Sequence, residues 1–280
     1  DTEGNVYCLD LQGSELWKKK LEILEPNNTS SSIAVRDGLI YCGGQQAVYC
    51  LDASSGSCVW HRKLSAGNTS PGGFVLYENM LFVGAHWNNL YALDAASGEL
   101  LWSTGNELLH NFIMTPTTEG GFLFTGSGNR LYKIHASSGR IEKEREVPGY
   151  TFQSATTPYT ENGILYTGTT DRGVVAVDME SLELLWTFET GRSLIYTSPY
   201  SNGDIATVDS AIVPMGEYLC FGASDGGLYL IDKKGKLIRK FDVGSPINQA
   251  PIAGDSFIIT ADFSGNITRY DIPRTILAET

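Results

Sequence analysis

The chain has 280 residues, with 20 Lys and Arg against 32 Asp and Glu, so its formal net charge is −12 at neutral pH. A surface of this sign repels nucleic acid and anionic membranes, and neither is expected as a partner. The sequence has no apolar run of roughly 20 residues, the length that a transmembrane helix needs, so no membrane insertion is predicted.

One short pattern repeats along the chain and is clearest in residues 90–102. Asp94 ends an apolar strand, and Gly98 and Trp102 follow it at intervals of four residues. A carboxylate at this point accepts bonds from backbone N–H groups of a tight turn, glycine supplies a positive φ, and the indole offers a large surface to bury. The position of the Asp recurs at Asp10, Asp52, Asp94, Asp178, Asp232 and Asp271, with His135 in its place once.

The repeat predicts an all-β fold. A unit of about 42 residues with four short strands is typical of a β-propeller blade. No segment shows apolar residues at helical spacing over three turns, and β-branched and aromatic residues are frequent. We therefore expect four-stranded antiparallel blades, seven with an incomplete first one, or six if the N-terminal strands pair with the C-terminal ones.

The strands of each unit follow in chain order as inner, second, third and outer. The step from Asp178 to Asp232 is 54 residues, which makes this unit longer than the others. The extra residues are predicted between its first and second strands, within residues 200–217, as a surface loop or a partner-binding loop. Inner strands are predicted at residues 31–35, 73–76, 114–118, 155–159 and 249–252.

Three positions depart from the pattern. Lys143 and Arg239 stand where a Trp is expected, so those two units must be joined to their neighbours in another way. Leu182 replaces the turn glycine, and its turn is predicted to take another conformation. The five cysteines, at positions 8, 42, 50, 58 and 220, are predicted to be small buried strand residues rather than a disulfide or metal set.

The Asp-x-x-x-Gly-x-x-x-Trp pattern resembles the tryptophan-docking repeat of the PQQ-like β-propellers, over nearly the whole chain. That family includes quinoprotein dehydrogenases and a non-enzymatic, BamB-like branch. The resemblance implies one propeller domain over residues 1–280, and the incomplete first blade predicts that it is taken from a longer chain. It also implies a bacterial periplasm or cell-envelope location, with the cytoplasm left open by the unpaired cysteines. Structural docking is implied for Trp17, Trp60, Trp102 and Trp186.

No catalytic arrangement is predicted. The four histidines are scattered singly along the chain. Asp204 and Asp209 are loop residues that are not expected to be buried, so they make poor general acids. The quinoprotein dehydrogenases carry a vicinal disulfide and are about twice as long, and this chain has no Cys-Cys pair. We predict a protein that is not an enzyme and has no cofactor and no metal.

The loops of one propeller face are the predicted binding site, because inner strands converge there on the central channel. These loops are rich in amides and aromatic rings, which suit a protein segment or a glycan. The loops between second and third strands add Asp171, Arg172 and Asp225. The predicted ligand-binding residues of this funnel face are His86, Trp87, Asn88, Asn68, His110, Asn111, Tyr150, Gln153, Tyr196, Asn248 and Gln249.

Two kinds of function remain open from the sequence. The first is a non-catalytic, monomeric binding or scaffold propeller that holds a protein segment or a glycan at the funnel face. The second is an accessory substrate-binding domain of a larger enzyme, such as a phosphoesterase, whose catalytic domain lies upstream. A quinoprotein dehydrogenase is a weaker alternative.

Overall fold

The computed structural model describes residues 3–21, 33–44, 47–64, 71–85, 89–104, 114–195 and 205–273. These residues form strands, turns and irregular segments, and none of the described residues is helical. A helix long and apolar enough to cross a membrane is therefore not found among them. The strands are β1 (Asn5–Leu9), β2 (Glu15–Lys20), β3 (Ala34–Arg36), β4 (Leu39–Gly44), β5 (Ala47–Asp52), β6 (Cys58–Lys63), β7 (Pro71–Tyr77), β8 (Met80–Ala85), β9 (Leu90–Asp94), β10 (Leu100–Ser103), β11 (Thr117–Glu119), β12 (Phe122–Ser127), β13 (Arg130–His135), β14 (Ile141–Glu146), β15 (Tyr159–Glu161), β16 (Ile164–Gly168), β17 (Val174–Asp178), β18 (Leu184–Phe188), β19 (Val213–Met215), β20 (Tyr218–Gly222), β21 (Gly227–Asp232), β22 (Leu237–Asp242), β23 (Ile252–Ala253), β24 (Phe257–Ala261) and β25 (Ile267–Asp271).

The strands pair with their neighbours in sequence to give successive antiparallel sheets. Within the described residues, β1–β2 form a two-stranded sheet and β23–β25 a three-stranded one. Between them lie four-stranded sheets made of β3–β6, β7–β10, β11–β14, β15–β18 and β19–β22. Most inner strands begin later than predicted; β15, for example, begins at Tyr159 rather than at residue 155.

The chain divides into two compact units. Unit 1 contains residues 1–123 and 134–141, and unit 2 contains residues 124–133 and 142–280. The boundary between the two units falls among the residues of the sheet β11–β14. Each unit has its own apolar clusters, around Leu81 and Tyr91 in unit 1 and around Phe221 and Tyr229 in unit 2.

The third strands of the sheets supply most of the buried core residues. β5, β9, β17 and β21 are buried at nearly every position, because apolar side chains on both of their faces pack within the units. Outer strands such as β6 and β10 instead alternate between half-buried and exposed residues. The sequence shows the same contrast as continuous apolar runs before each Asp and mixed patterns after it.

The repeated turn has the geometry that its residues favour. The Asp94 carboxylate accepts bonds from the backbone N–H groups of Ala96 (3.0 Å) and Ser97 (2.8 Å). The N–H of Gly98, at a φ of 72°, donates to the Asp94 carbonyl at 2.8 Å. The bonds from Ser97 hold the pKa of Asp94 below its usual range.

The expectation for Leu182 is wrong. Leu182 takes a φ of 58°, in the same left-handed region as the glycines, and its N–H donates to the Asp178 carbonyl at 2.8 Å. Its side chain is fully buried, so burial of the leucine offsets the strain of this conformation. The turn after Asp178 therefore has the same shape as the other repeat turns, although it lacks their glycine.

Each repeat Trp lies against the turn of the next repeat. The indole N–H of Trp60 donates to the Ala95 carbonyl at 3.1 Å, and a Cβ at Gly98 would lie only 2.5 Å from the indole ring. Trp102 makes the same pair of contacts with Ala136 (2.8 Å) and Gly139. Equivalent indole bonds join Trp17 to Ala53 at 3.0 Å and Trp186 to Lys233 at 3.2 Å.

The junction that has Lys143 in place of the Trp is ionic. The ammonium of Lys143 donates to the Glu180 carbonyl at 3.0 Å, and Lys133 pairs with the Glu180 carboxylate. Arg145 pairs with Glu183 at 3.0 Å. These contacts reach the turn that carries Leu182, so the repeat without an indole is followed by the turn without a glycine.

Three further expectations are corrected. The extra residues of the long unit precede its first strand, β19, rather than following it, and the described part of them, residues 205–212, is mostly buried. Asp209, expected to be exposed, is only 8% exposed. Cys42, Cys50 and Cys220 are buried as predicted, but Cys8 is half-buried and Cys58 is exposed; all five are free thiols.

Candidate binding face

Three segments of unit 2 connect one sheet to the next in the same way; we call residues 151–154, 207–210 and 246–249 the inner straps. In each strap one backbone N–H donates to the loop of the preceding sheet: Phe152 to Gly128 (2.6 Å), Val208 to Thr169 (3.0 Å) and Ile247 to Ala223 (3.1 Å). The carbonyl of the residue just before that donor accepts a bond from a backbone N–H of the following sheet. The three donors are Thr170 (2.9 Å), Ser224 (3.0 Å) and Phe263 (2.8 Å), respectively. Each strap is thus fixed by backbone bonds on both sides.

The straps present a polar residue directly after a buried apolar one. Phe152, Val208 and Ile247 are each 0% exposed, and they anchor the straps by apolar burial. The residues that follow them are Gln153, Asp209 and Asn248. Gln153 and Asn248 are partly exposed, whereas the Asp209 carboxylate accepts a bond from the Ala155 N–H at 3.0 Å.

Gln153 and Asn248 belong to the predicted site, and the structure places them at corresponding points of two straps. The Ser224 hydroxyl lies 3.5 Å from the Asn248 amide oxygen, and Gln249 is exposed beside it. Asp209, the corresponding residue of the middle strap, was missed by the sequence reasoning. The sequence does show that Asp209 follows an apolar residue, as Gln153 does. Asp209 was not assigned to the site because the extra residues of this unit were predicted to lie between its first and second strands.

Tyr150 forms a second polar group with the loop after β16. Its hydroxyl lies 2.8 Å from the Thr187 hydroxyl, and the Arg172 guanidinium lies 5.3 Å from its ring centroid. Arg172 also donates to the Gly149 carbonyl at 2.7 Å. Asp171 accepts bonds from the N–H (3.1 Å) and hydroxyl (3.2 Å) of Thr151, and burial raises the pKa of this carboxyl.

Asp225 holds the corresponding loop of the next sheet. Its carboxylate accepts bonds from the Gly191 N–H (2.9 Å) and the Tyr229 hydroxyl (2.5 Å), and the Lys240 ammonium lies 3.2 Å away. Burial, together with the bond to Asp225, raises the pKa of the Tyr229 phenol. Every partner of this carboxylate is supplied from within the chain, so Asp225 orders the loop rather than offering a free charge.

The rest of the predicted site lies outside the described residues: His86, Trp87, Asn88, Asn68, His110, Asn111 and Tyr196. Within the described ranges, no group of three or more His, Cys, Asp or Glu side chains could hold a metal ion. The described part of this face therefore offers amide groups, one phenol and internally paired charges.

The succession of four-stranded antiparallel sheets, joined in unit 2 by the inner straps, defines a β-propeller protein. Solved structures share this fold. BamB from Moraxella catarrhalis matches with a TM-score of 0.65 at 15% identity, covering 96% of this chain and 91% of that one. A computationally designed protein, Ika8, matches with a TM-score of 0.69 at 15% identity, covering 93% and 75%.

Sequence comparison gives the family. The chain belongs to the family described as "Outer membrane protein assembly factor BamB", whose model matches residues 2–115 and 88–260. The BamB of Moranella endobia is 26% identical, with 92% of this chain and 78% of that protein covered. The BamB of Escherichia coli is 25% identical over 51% of this chain and 38% of its own length. The predicted all-β propeller fold and the non-enzymatic branch of the PQQ-like family are confirmed; the blade count stays a prediction.

Proposed function

We propose that this chain is a non-catalytic scaffold propeller of the cell envelope that contributes to outer membrane protein assembly. Its family and its relatives carry that description. We further propose that its funnel face binds an extended protein segment, with a glycan as the alternative ligand. The predicted funnel residues, a monomeric single domain over residues 1–280 and structural docking by the four Trp residues belong to this proposal.

The strap geometry is the observation that supports a funnel-face site. Backbone bonds on both sides and a fully buried apolar residue hold each strap rigidly, so Gln153 and Asn248 are presented at fixed positions. A primary amide both donates and accepts, and can therefore pair with the alternating N–H and C=O groups of an extended peptide. Rigid presentation lowers the entropic cost of binding.

The enzymatic alternatives receive less support. The family is described by an assembly role, and the described carboxylates of this face are occupied by bonds from their own chain. An accessory domain of a larger enzyme would use the same amide groups, so the ligand class distinguishes the two hypotheses.

The test uses fluorescent peptides of alternating threonine and leucine, the alternation found in outer-membrane barrel strands, together with a panel of oligosaccharides. Replacing both Gln153 and Asn248 by Ala should weaken peptide binding about tenfold, because two hydrogen bonds of about 0.7 kcal/mol each are lost. Gln12→Ala, in an exposed turn, is the matched control and should leave binding unchanged.

Trp87→Ala and His110→Ala extend the test to the remaining predicted residues. Peptide binding that survives all of these changes contradicts the site. Binding of an oligosaccharide instead, lost in the same variants, would establish the glycan alternative and overturn the protein segment.

A further inference from the structure

The outer strands β2 and β6 of unit 1 carry an unusual concentration of positive charge for a chain of net charge −12. β2 ends in Lys18, Lys19 and Lys20, and β6 ends in His61, Arg62 and Lys63. The two strands occupy the same place in successive repeats and show the same burial pattern, so their cations lie at matching positions.

Three of these groups face the space between the two strands. Lys19 lies two residues after Trp17, so both project from the face of β2 that turns toward Gly56 and Ala53 of the next repeat. The His61 ring stacks on Tyr49 with 5.8 Å between centroids, and Tyr49 belongs to the apolar cluster that Trp17 packs against. Lys63 follows His61 by two residues and shares its face.

We call Lys19, His61, Lys63 and the neighbouring Val59 the cationic groove. Within the described residues, Lys19, His61 and Lys63 take part in no ion pair. The contrast with the ionic junction of unit 2 is direct, because there Arg145 of the outer strand pairs with Glu183 and Lys133 of the third strand pairs with Glu180. The groove thus gathers positive charge without an internal counter-charge.

We propose that the cationic groove docks an extended acidic segment of a partner protein. Carboxylates complement Lys19 and Lys63, and Val59, which is 51% exposed and lies on the same strand as Lys63, offers an apolar contact. Within the described residues, β2 and β6 are the edge strands of their sheets, and an edge strand is where an extended segment can add to a sheet. The acidity of the whole chain repels an extended anionic membrane, which favours a local acidic segment.

This inference is separate from the funnel-face site and is tested with a different probe. A fluorescent ten-residue peptide of alternating glutamate and valine is titrated into the full chain at low and moderate salt. We expect binding that weakens as salt rises. Replacing both Lys19 and Lys63 by Glu should weaken it about tenfold or more, while binding of the threonine–leucine peptide at the funnel face stays unchanged.

The matched control reverses two exposed lysines elsewhere, in the variant carrying Lys234→Glu and Lys236→Glu. It changes the net charge by the same amount and should alter peptide binding less than twofold. A variant with both Lys19→Met and Lys63→Met removes the two charges without reversing them. Its circular dichroism spectrum and melting temperature are compared with those of the unmodified chain, to check that loss of binding does not come from unfolding. Unchanged binding in the reversed variant, or equal loss in the control, overturns the proposal. Tight binding of the chain to vesicles of anionic lipid, lost when Lys19 and Lys63 are replaced by Glu, would also overturn the proposal, because the groove would then be a membrane site.

Discussion

The Trp102 junction of unit 1 and the Lys143 junction of unit 2 perform the same task with different chemistry. At the first, an indole donates to the Ala136 carbonyl and lies on Gly139; at the second, Lys143 donates to the Glu180 carbonyl and Leu182 fills the place of the glycine. Both turns have the same bond from the fourth residue to the first. The same turn accepts Leu182 where no indole lies against it, so the neighbouring indole requires the glycine more than the turn does.

We expect the indole to supply most of the difference in stability between the two junctions. Trp102→Ala should lower the free energy of unfolding by about 3 kcal/mol, because a large apolar contact and a hydrogen bond are lost together. Urea denaturation measures the change, and Leu101→Ala, on the exposed side of the same strand, should cost less than about 1 kcal/mol. A loss of that smaller size for Trp102→Ala would mean that the indole does not hold the junction.

Gly139→Ala should lower the free energy of unfolding by about 2 kcal/mol. The new Cβ would meet the Trp102 ring at 2.6 Å and would also strain a φ of 70°. Gly120→Ala, at a φ of 59° with nothing within 4 Å, isolates the strain alone and should cost about 1 kcal/mol. Equal losses at both sites would contradict the steric role of the indole, and combining Gly139→Ala with Trp102→Ala should remove the excess.

The ionic junction should respond to salt rather than to apolar truncation. Lys143→Met and Arg145→Met should each lower the free energy of unfolding by about 0.5 kcal/mol at low salt, since exposed pairs contribute little. The difference from the unmodified chain should shrink in about 1 M salt, where charges are screened within roughly 3 Å. The loss in Trp102→Ala serves as the salt-independent comparison. A salt-independent loss in the Lys143 variant would show that its aliphatic stem, and not its charge, holds the turn.

Much of this fold could be predicted from local sequence. The recurring Asp, the following Gly and the apolar run before them specify strand, turn and strand within a few residues, and their repetition predicts the succession of sheets. Tyr150, Gln153 and Asn248 could be assigned to inter-sheet connections for the same reason. Leu182 could not, because a leucine at positive φ is unfavourable locally and is stabilised only by burial.

The sequence by itself determined the all-β repeat architecture, because strand and turn signals act between residues close in the chain. The tertiary structure alone decided which carbonyl each indole meets, where the long connection of the Asp232 unit is buried, and that Asp209 lies on a strap between Gln153 and Asn248. It also decided that Lys19 and Lys63 turn toward one groove while Lys143 donates to the Glu180 carbonyl. These outcomes depend on contacts between residues more than 30 positions apart, such as Trp102 with Ala136, and no local propensity encodes them.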